Sequence, residues 1–166
     1  MRDIVIDAVR LLINYDSDLI ENATKEEAIN HQLANHLERL LIDRGVSFGH
    51  VDIEYDKYLE DEKKISNGKS IRPDIIVHQR RSGKNNNLIV IEAKKNYSND
   101  WDERKIIDLV DSPHYAYSFG ALISYLPTRN YIKLKFYSGS DNWEIGWMDK
   151  TNLTYQVGDR YKRSTN

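Results

Sequence analysis

The sequence predicts an α/β sandwich, a mixed central β-sheet flanked by helices. Three features carry this reading. Two helical periods of apolar residues open the chain, two short Ile/Val-rich runs separated by a polar turn follow, and a third helical period then precedes further strand-like runs. Helices, strands, a helix and more strands in that order fit a sheet covered by helices.

Residues Arg2 to Tyr15 read as the first helix, with Arg2, Asp3, Asp7 and Arg10 set among apolar positions. That mixture is an amphipathic helix and lacks the unbroken apolar centre of a signal peptide. A second helix is expected from Thr24 to Arg44, stopping at Gly45. Thr24 can cap its start with Glu27 at the third helical position, and Ile29, Leu33, Leu37, Leu40 and Leu41 trace its apolar stripe. Val46 to Tyr58 reads as extended, Val51, Ile53 and Tyr55 alternating with Asp52, Glu54 and Asp56. Leu59 to Ser70 reads as an exposed loop.

The runs Ile75-Ile76-Val77 and Ile89-Val90-Ile91 flank a polar connection containing Arg80, Arg81, Gly83, Lys84 and three asparagines, which predicts a β-hairpin. Trp101 to Val110 then reads as a helix that packs through Ile106, Ile107, Leu109 and Val110, and Ala121 to Leu126 as a buried strand. Tyr131 to Tyr137 and Trp143 to Met148 alternate like later strands. The expected organisation is one domain over residues 1–150 with a weakly held C-terminal tail over residues 151–166.

Composition agrees with a compact enzyme domain. With 166 residues, 40% hydrophobic and 30% charged, such a domain buries about 70% of its extended surface. No apolar run approaches the roughly 20 residues that span a bilayer, so no membrane partner is expected. The chain has no cysteine, which rules out a disulfide framework and makes a reducing cytoplasm the expected location. Its five histidines, His31, His36, His50, His78 and His114, lack the close spacing of a zinc site. They read as surface or partly buried residues, His78 sharing a strand face with Asp74.

Charge inside apolar strand runs is costly unless it is used or paired, and the hairpin carries three such charges: Asp74, Glu92 and Lys94. Alternation puts Glu92 and Lys94 on one strand face, about 6–7 Å apart. If the register sets Asp74 beside Glu92, two carboxylates converge where a hard divalent cation such as Mg2+ can bind, with the Lys94 ammonium at the edge. A cation there would polarise a phosphoryl oxygen and lower the pKa of a bound water, and Lys94 could orient that water or stabilise charge building on phosphate. Taken singly, the same residues have plainer explanations: Asp74 as a strand-start residue bonded to amides, and Glu92 with Lys94 as an ion pair on a wet face.

At these residues the chain resembles the PD-(D/E)xK nuclease superfamily, the restriction-endonuclease-like fold. Pro73-Asp74 matches the first half of its signature and Glu92-Ala93-Lys94 the second, with seventeen residues between Asp74 and Glu92. The resemblance implies a Mg2+-dependent nuclease, Mn2+ substituting, in which Asp74 and Glu92 are ligands, the Ala93 backbone carbonyl is another, and Lys94 assists catalysis. Many members add a glutamate from the first core helix, and Glu26 is the matching residue. It precedes Ile29 by three positions and Leu33 by seven, which points it at the sheet. A carboxylate at a helix N-terminus is equally well explained by the helix dipole.

The resemblance implies nucleic acid as partner, DNA ahead of RNA, and a possible homodimer, for which the tyrosine-rich late strands offer a surface. Against this stands the charge balance of 24 basic and 26 acidic residues, where a nucleic-acid grip normally displays a basic face. Arg72, His78, Arg80, Arg81 and Lys84 around the hairpin, with Lys94, Lys95 and Lys105, could form a local patch. Lys105 itself reads as a solvated helical lysine and Lys95 as solvated on the opposite face from Lys94. The alternative to an endonuclease is a catalytically silent protein of the same fold, binding nucleic acid or another protein.

Overall fold

The computed structural model describes residues 1–46, 49–55, 57–58, 61–64 and 68–158. A seven-stranded mixed sheet forms the middle layer. Its strands are β1 (His50–Ile53), β4 (Ile75–His78), β5 (Asn87–Lys94), β6 (Phe119–Ser124), β7 (Tyr131–Tyr137), β8 (Trp143–Asp149) and β9 (Tyr155–Val157), adjacent in that order. Only β5 and β6 run parallel, because the helix α3 (Asp100–Asp111) carries the chain back between them, as a parallel pair requires. Two short strands, β2 (Lys57–Tyr58) and β3 (Asp61–Glu62), pair separately.

The sheet buries both faces. Helices α1 (Arg2–Glu21) and α2 (Glu26–Asp43) pack through Leu12, Leu33 and Leu37 onto Ile75, Ile91 and Ile123. On the other face, Ile106 and Leu109 of α3 pack with Ile76, Val90 and Leu122. The α/β expectation holds, and the even and odd positions of β4 and β5 feed different cores as pleating demands. Gly120 lies where α3 approaches β6: an added Cβ would run into Ile106 and come within 3.2 Å of Val110. Gly120→Ala is expected to cost about 1–3 kcal/mol of stability, seen as a lower denaturation midpoint at unchanged slope; an unmoved midpoint would show that α3 is free to back away.

Several boundaries differ from the reading of the sequence. The first helix continues past Tyr15 through a kink at Asp16, because Ile20 is buried and Asp16 is held by His36 Nε2 at 2.7 Å. Thr24 does not cap α2. Its hydroxyl donates to the Leu19 carbonyl at 2.8 Å, and Lys25 occupies the N-cap without a side-chain bond. Gly45 does terminate α2, at φ 76°, with Val46 N–H reaching back to the Leu41 carbonyl.

The extended segment after α2 narrows to β1, Ser47, Phe48 and Asp56 lying outside the described residues. In the predicted loop, residues 59–60 and 65–67 also lie outside them, and Lys63 is buried, its Nζ donating to the Tyr55 carbonyl at 3.0 Å. Of the expected tail, Tyr155–Val157 forms the edge strand β9, paired with β8, and residues 159–166 lie outside the described set. Tyr131 and Tyr137 are buried, so these late strands do not offer the tyrosine surface expected for a dimer. No helix among the described residues is long and apolar enough to cross a membrane.

Candidate metal centre

The hairpin register is the first determinant of the site. Ile75 pairs with Ile91 and Ile76 with Val90, so one more step sets Asp74 opposite Glu92. Asp74 is anchored there by its Oδ2, which accepts the Ala93 N–H at 2.7 Å. Glu92 shares the strand face of Val90 and points toward α3. It is 2% exposed. Its Oε2 is in direct contact with Lys105 Nζ, and its Oε1 is buried without a hydrogen-bond partner.

Such burial reshapes the titration of both acids. Glu92 is pushed up to about 8 by desolvation and then by the Asp74 charge, against the pull of Lys105. Asp74 is also raised, by burial first and by Glu26, with the Ala93 amide and Lys105 opposing. Burial is the largest cause for both acids, with a neighbouring carboxylate adding to it: Asp74 for Glu92 and Glu26 for Asp74.

Glu26 reaches the same end of the sheet from α2. Its carboxylate accepts the Lys95 N–H at 2.7 Å, directly after the motif. One helical turn later, the buried Asn30 accepts the Tyr125 hydroxyl at 2.7 Å, and Tyr125 N–H donates to the Lys94 carbonyl at 2.8 Å. Positions i and i+4 of α2 therefore clamp the ends of β5 and β6 and set the helix in register with the site. The inward direction expected of Glu26 is present. Glu26→Gln retains an oxygen for the Lys95 amide, so it is expected to shift the melting temperature little and weaken Mn2+ binding several-fold. Unchanged Mn2+ affinity would assign Glu26 to the helix end alone.

Lys94 points toward α3 as well, and its Nζ lies 2.8 Å from Oδ1 of the buried Asp102. Burial works to lower its pKa, and Asp102, Glu92 and Asp74 outweigh this so that it is raised. Asp102 is also the N3 residue of the cap on α3: its Oδ2 accepts the Asn99 N–H at 3.0 Å while Asn99 Oδ1 accepts its own N–H at 3.1 Å. The wet-face pair of Glu92 with Lys94 is thus replaced by two buried pairs, Glu92 with Lys105 and Lys94 with Asp102.

No family model matches the chain, and no curated protein matches it.

The donor set suits a hard cation in part. Asp74 and Glu92 supply two acids at the ends of the motif strands, and Glu92 Oε1 is buried without a hydrogen-bond partner. Mg2+ is commonly held by one or two carboxylates with water completing the shell. Among the described residues no three His, Asp or Glu side chains stand together as a preformed metal cluster.

The basic patch is weaker than expected. His78 and Arg80 both bind Asp52, at 2.8 Å and 2.9 Å, Arg72 faces Glu54 at 3.5 Å, and Lys84 donates to the Pro113 carbonyl at 3.1 Å. Lys95 is half-buried with its Nζ on the Ala23 carbonyl, and Lys105 is an ion-pair partner where a solvated lysine was expected. Asn30, Tyr125 and the burial of Asp102 escaped the reading of the sequence. Asp102, Ile106 and Leu109 fall at i, i+4 and i+7 of α3, so a charge in the apolar stripe of that helix was the available signal.

Proposed function

We propose that the chain is a metal-dependent nuclease of the PD-(D/E)xK type, with a restriction-endonuclease-like fold, that hydrolyses phosphodiester bonds in DNA in preference to RNA. The observation that carries this reading is Glu92: a carboxylate at 2% exposure with one oxygen unsatisfied, set against a second carboxylate at Asp74. A buried acid left half-paired costs stability, and a divalent cation bound between the two would remove the deficit. Asp74 and Glu92 would hold Mg2+ or Mn2+, with Glu26 and the Ala93 carbonyl at the rim. The metal supplies polarisation of a phosphoryl oxygen and acidification of a bound water.

The protein's own residues do the rest. Asp74 and the Ala93 amide fix the distance between the motif strands, and Glu26 and Asn30 seat α2 against them. Lys94, with its side chain 31% exposed, is the cation able to meet a substrate phosphate from the solvent side and to stabilise charge developing on it. Because Arg72 and Arg80 are already paired with Glu54 and Asp52, grip on the nucleic-acid backbone should be modest and strongly salt-dependent.

The self-neutralised pairs of Lys94 with Asp102 and Lys105 with Glu92 favour a second reading, a silent protein of the same fold. Cleavage of labelled single-stranded, duplex and branched DNA and of RNA, in Mg2+, Mn2+ and EDTA, separates the two. The nuclease reading expects metal-dependent cutting that Asp74→Asn removes with its melting curve intact. A well-folded wild type that neither cuts nor binds Mn2+ would establish the silent protein instead.

A further inference from the structure

Two lysines compete for one oxygen of Asp102. Lys94 Nζ lies 2.8 Å from Oδ1 and Lys105 Nζ 3.7 Å from the same atom, while Lys105 is also in direct contact with Glu92. Oδ2 already accepts the Asn99 N–H that caps α3. The group as a whole, Glu26, Asp74, Glu92 and Asp102 against Lys94 and Lys105, carries more carboxylates than ammonium groups. Lys105 is the cation in contact with Glu92.

We propose that Lys105 is a positioning residue that exchanges partners with metal occupancy: when Glu92 takes a divalent cation, Lys105 passes from Glu92 to Asp102, and Lys94 leaves Asp102 for the substrate side. This rests on the nuclease reading. An ammonium and a divalent cation on one carboxylate repel each other, and Lys105 has a second acceptor already within 3.7 Å. Asp102 and Lys105 sit at i and i+3 of one helix, so a change of side-chain rotamer closes that gap without backbone movement.

Asp102 has a single charge to share between two ammonium groups, and their mutual repulsion at one oxygen favours the release of one of them. Lys105 is 12% exposed and Lys94 31%. The lysine that can be rehydrated is Lys94, the residue placed to meet phosphate. Metal occupancy and the availability of Lys94 are thereby coupled through α3, and in the metal-free protein Lys94 stays fastened.

The test reads the amines directly, without substrate. Pulse acetylation of the full chain with acetic anhydride, followed by mass spectrometry, is compared with and without Mg2+, alongside Mn2+ titration followed by electron paramagnetic resonance. In the wild type, Mg2+ should raise acetylation of Lys94 at least threefold relative to Lys95. Lys105→Met should bind Mn2+ about tenfold more tightly, having no resident cation to displace, and should lose the Mg2+-dependent rise at Lys94. Lys105→Gln keeps a donor against Glu92 and carries the same expectations if the methionine variant does not fold.

A rise at Lys94 that persists in either variant, or its absence in a wild type that binds Mn2+, overturns the exchange and leaves the nuclease reading standing. A purely structural Lys105 would lower the melting temperature and leave the Lys94 response in place. Failure of the wild type to bind Mn2+ overturns both.

Discussion

Glu92→Gln should reduce metal-dependent cleavage by about 10³-fold while the protein melts at or above the wild-type temperature at pH 8. Glutamine keeps the length of the side chain and an oxygen for Lys105, but it cannot serve as an anionic ligand. The stability expectation follows from the environment: burial and the neighbouring Asp74 raise Glu92 to about 8, so the neutral amide resembles the form that the folded protein already prefers. Cleavage assays and thermal melts on the same preparation check both halves. Wild-type cutting by the variant would remove Glu92 from the metal centre. A large drop in melting temperature would mean that Glu92 serves chiefly as the anionic partner of Lys105.

The metal-free protein should lose stability as pH rises from about 5 to about 8, and Mg2+ should restore it. Glu92 is pushed up to about 8 when folded against an ordinary value of 4.5, so across that window the native state holds a proton which the unfolded chain has released. Stability from this group is therefore complete below about 4.5 and declines by up to about 1.4 kcal/mol per pH unit until it levels above 8. The raised Asp74 acts in the same direction. His78, lowered by burial against the pull of Asp52, acts oppositely around its ordinary range, so Glu92→Gln is the reference that isolates the carboxylate.

A divalent cation held by Glu92, as proposed, would replace that proton. Affinity should rise with pH up to about 8, and binding below that pH should release a proton. Melting temperatures of wild type and Glu92→Gln from pH 5 to 9, in Mg2+ and in EDTA, should show a wild-type gap that widens with pH and is absent in the variant. A gap independent of pH would separate Glu92 from metal binding.

Much of the architecture could be read from local pattern. The period of Ile29, Leu33 and Leu37 placed α2 and turned Glu26 inward, and the paired apolar runs placed β4 and β5, while the register between them came from the structure. These features depend on periods of 3.6 and 2 and on a short turn, all of which are properties of neighbouring residues. Chain ends and caps were less legible. Thr24 looks like an N-cap in isolation, but the Leu19 carbonyl at the end of α1 takes its hydroxyl, and the edge pairing of Tyr155–Val157 depends on the presence of β8.

The sequence by itself determined the α/β class, the motif hairpin and the identities of the two facing acids, because a buried strand accepts charge only where something compensates it. Only the tertiary structure decided what does the compensating. Lys105 meets Glu92 and Asp102 meets Lys94 because α3 crosses one face of β5, and Asn30 meets Tyr125 because α2 crosses the other. Such pairings follow from which helix face lands on which strand row. That choice is made by the packing of two separate cores, and no periodicity along the chain encodes it.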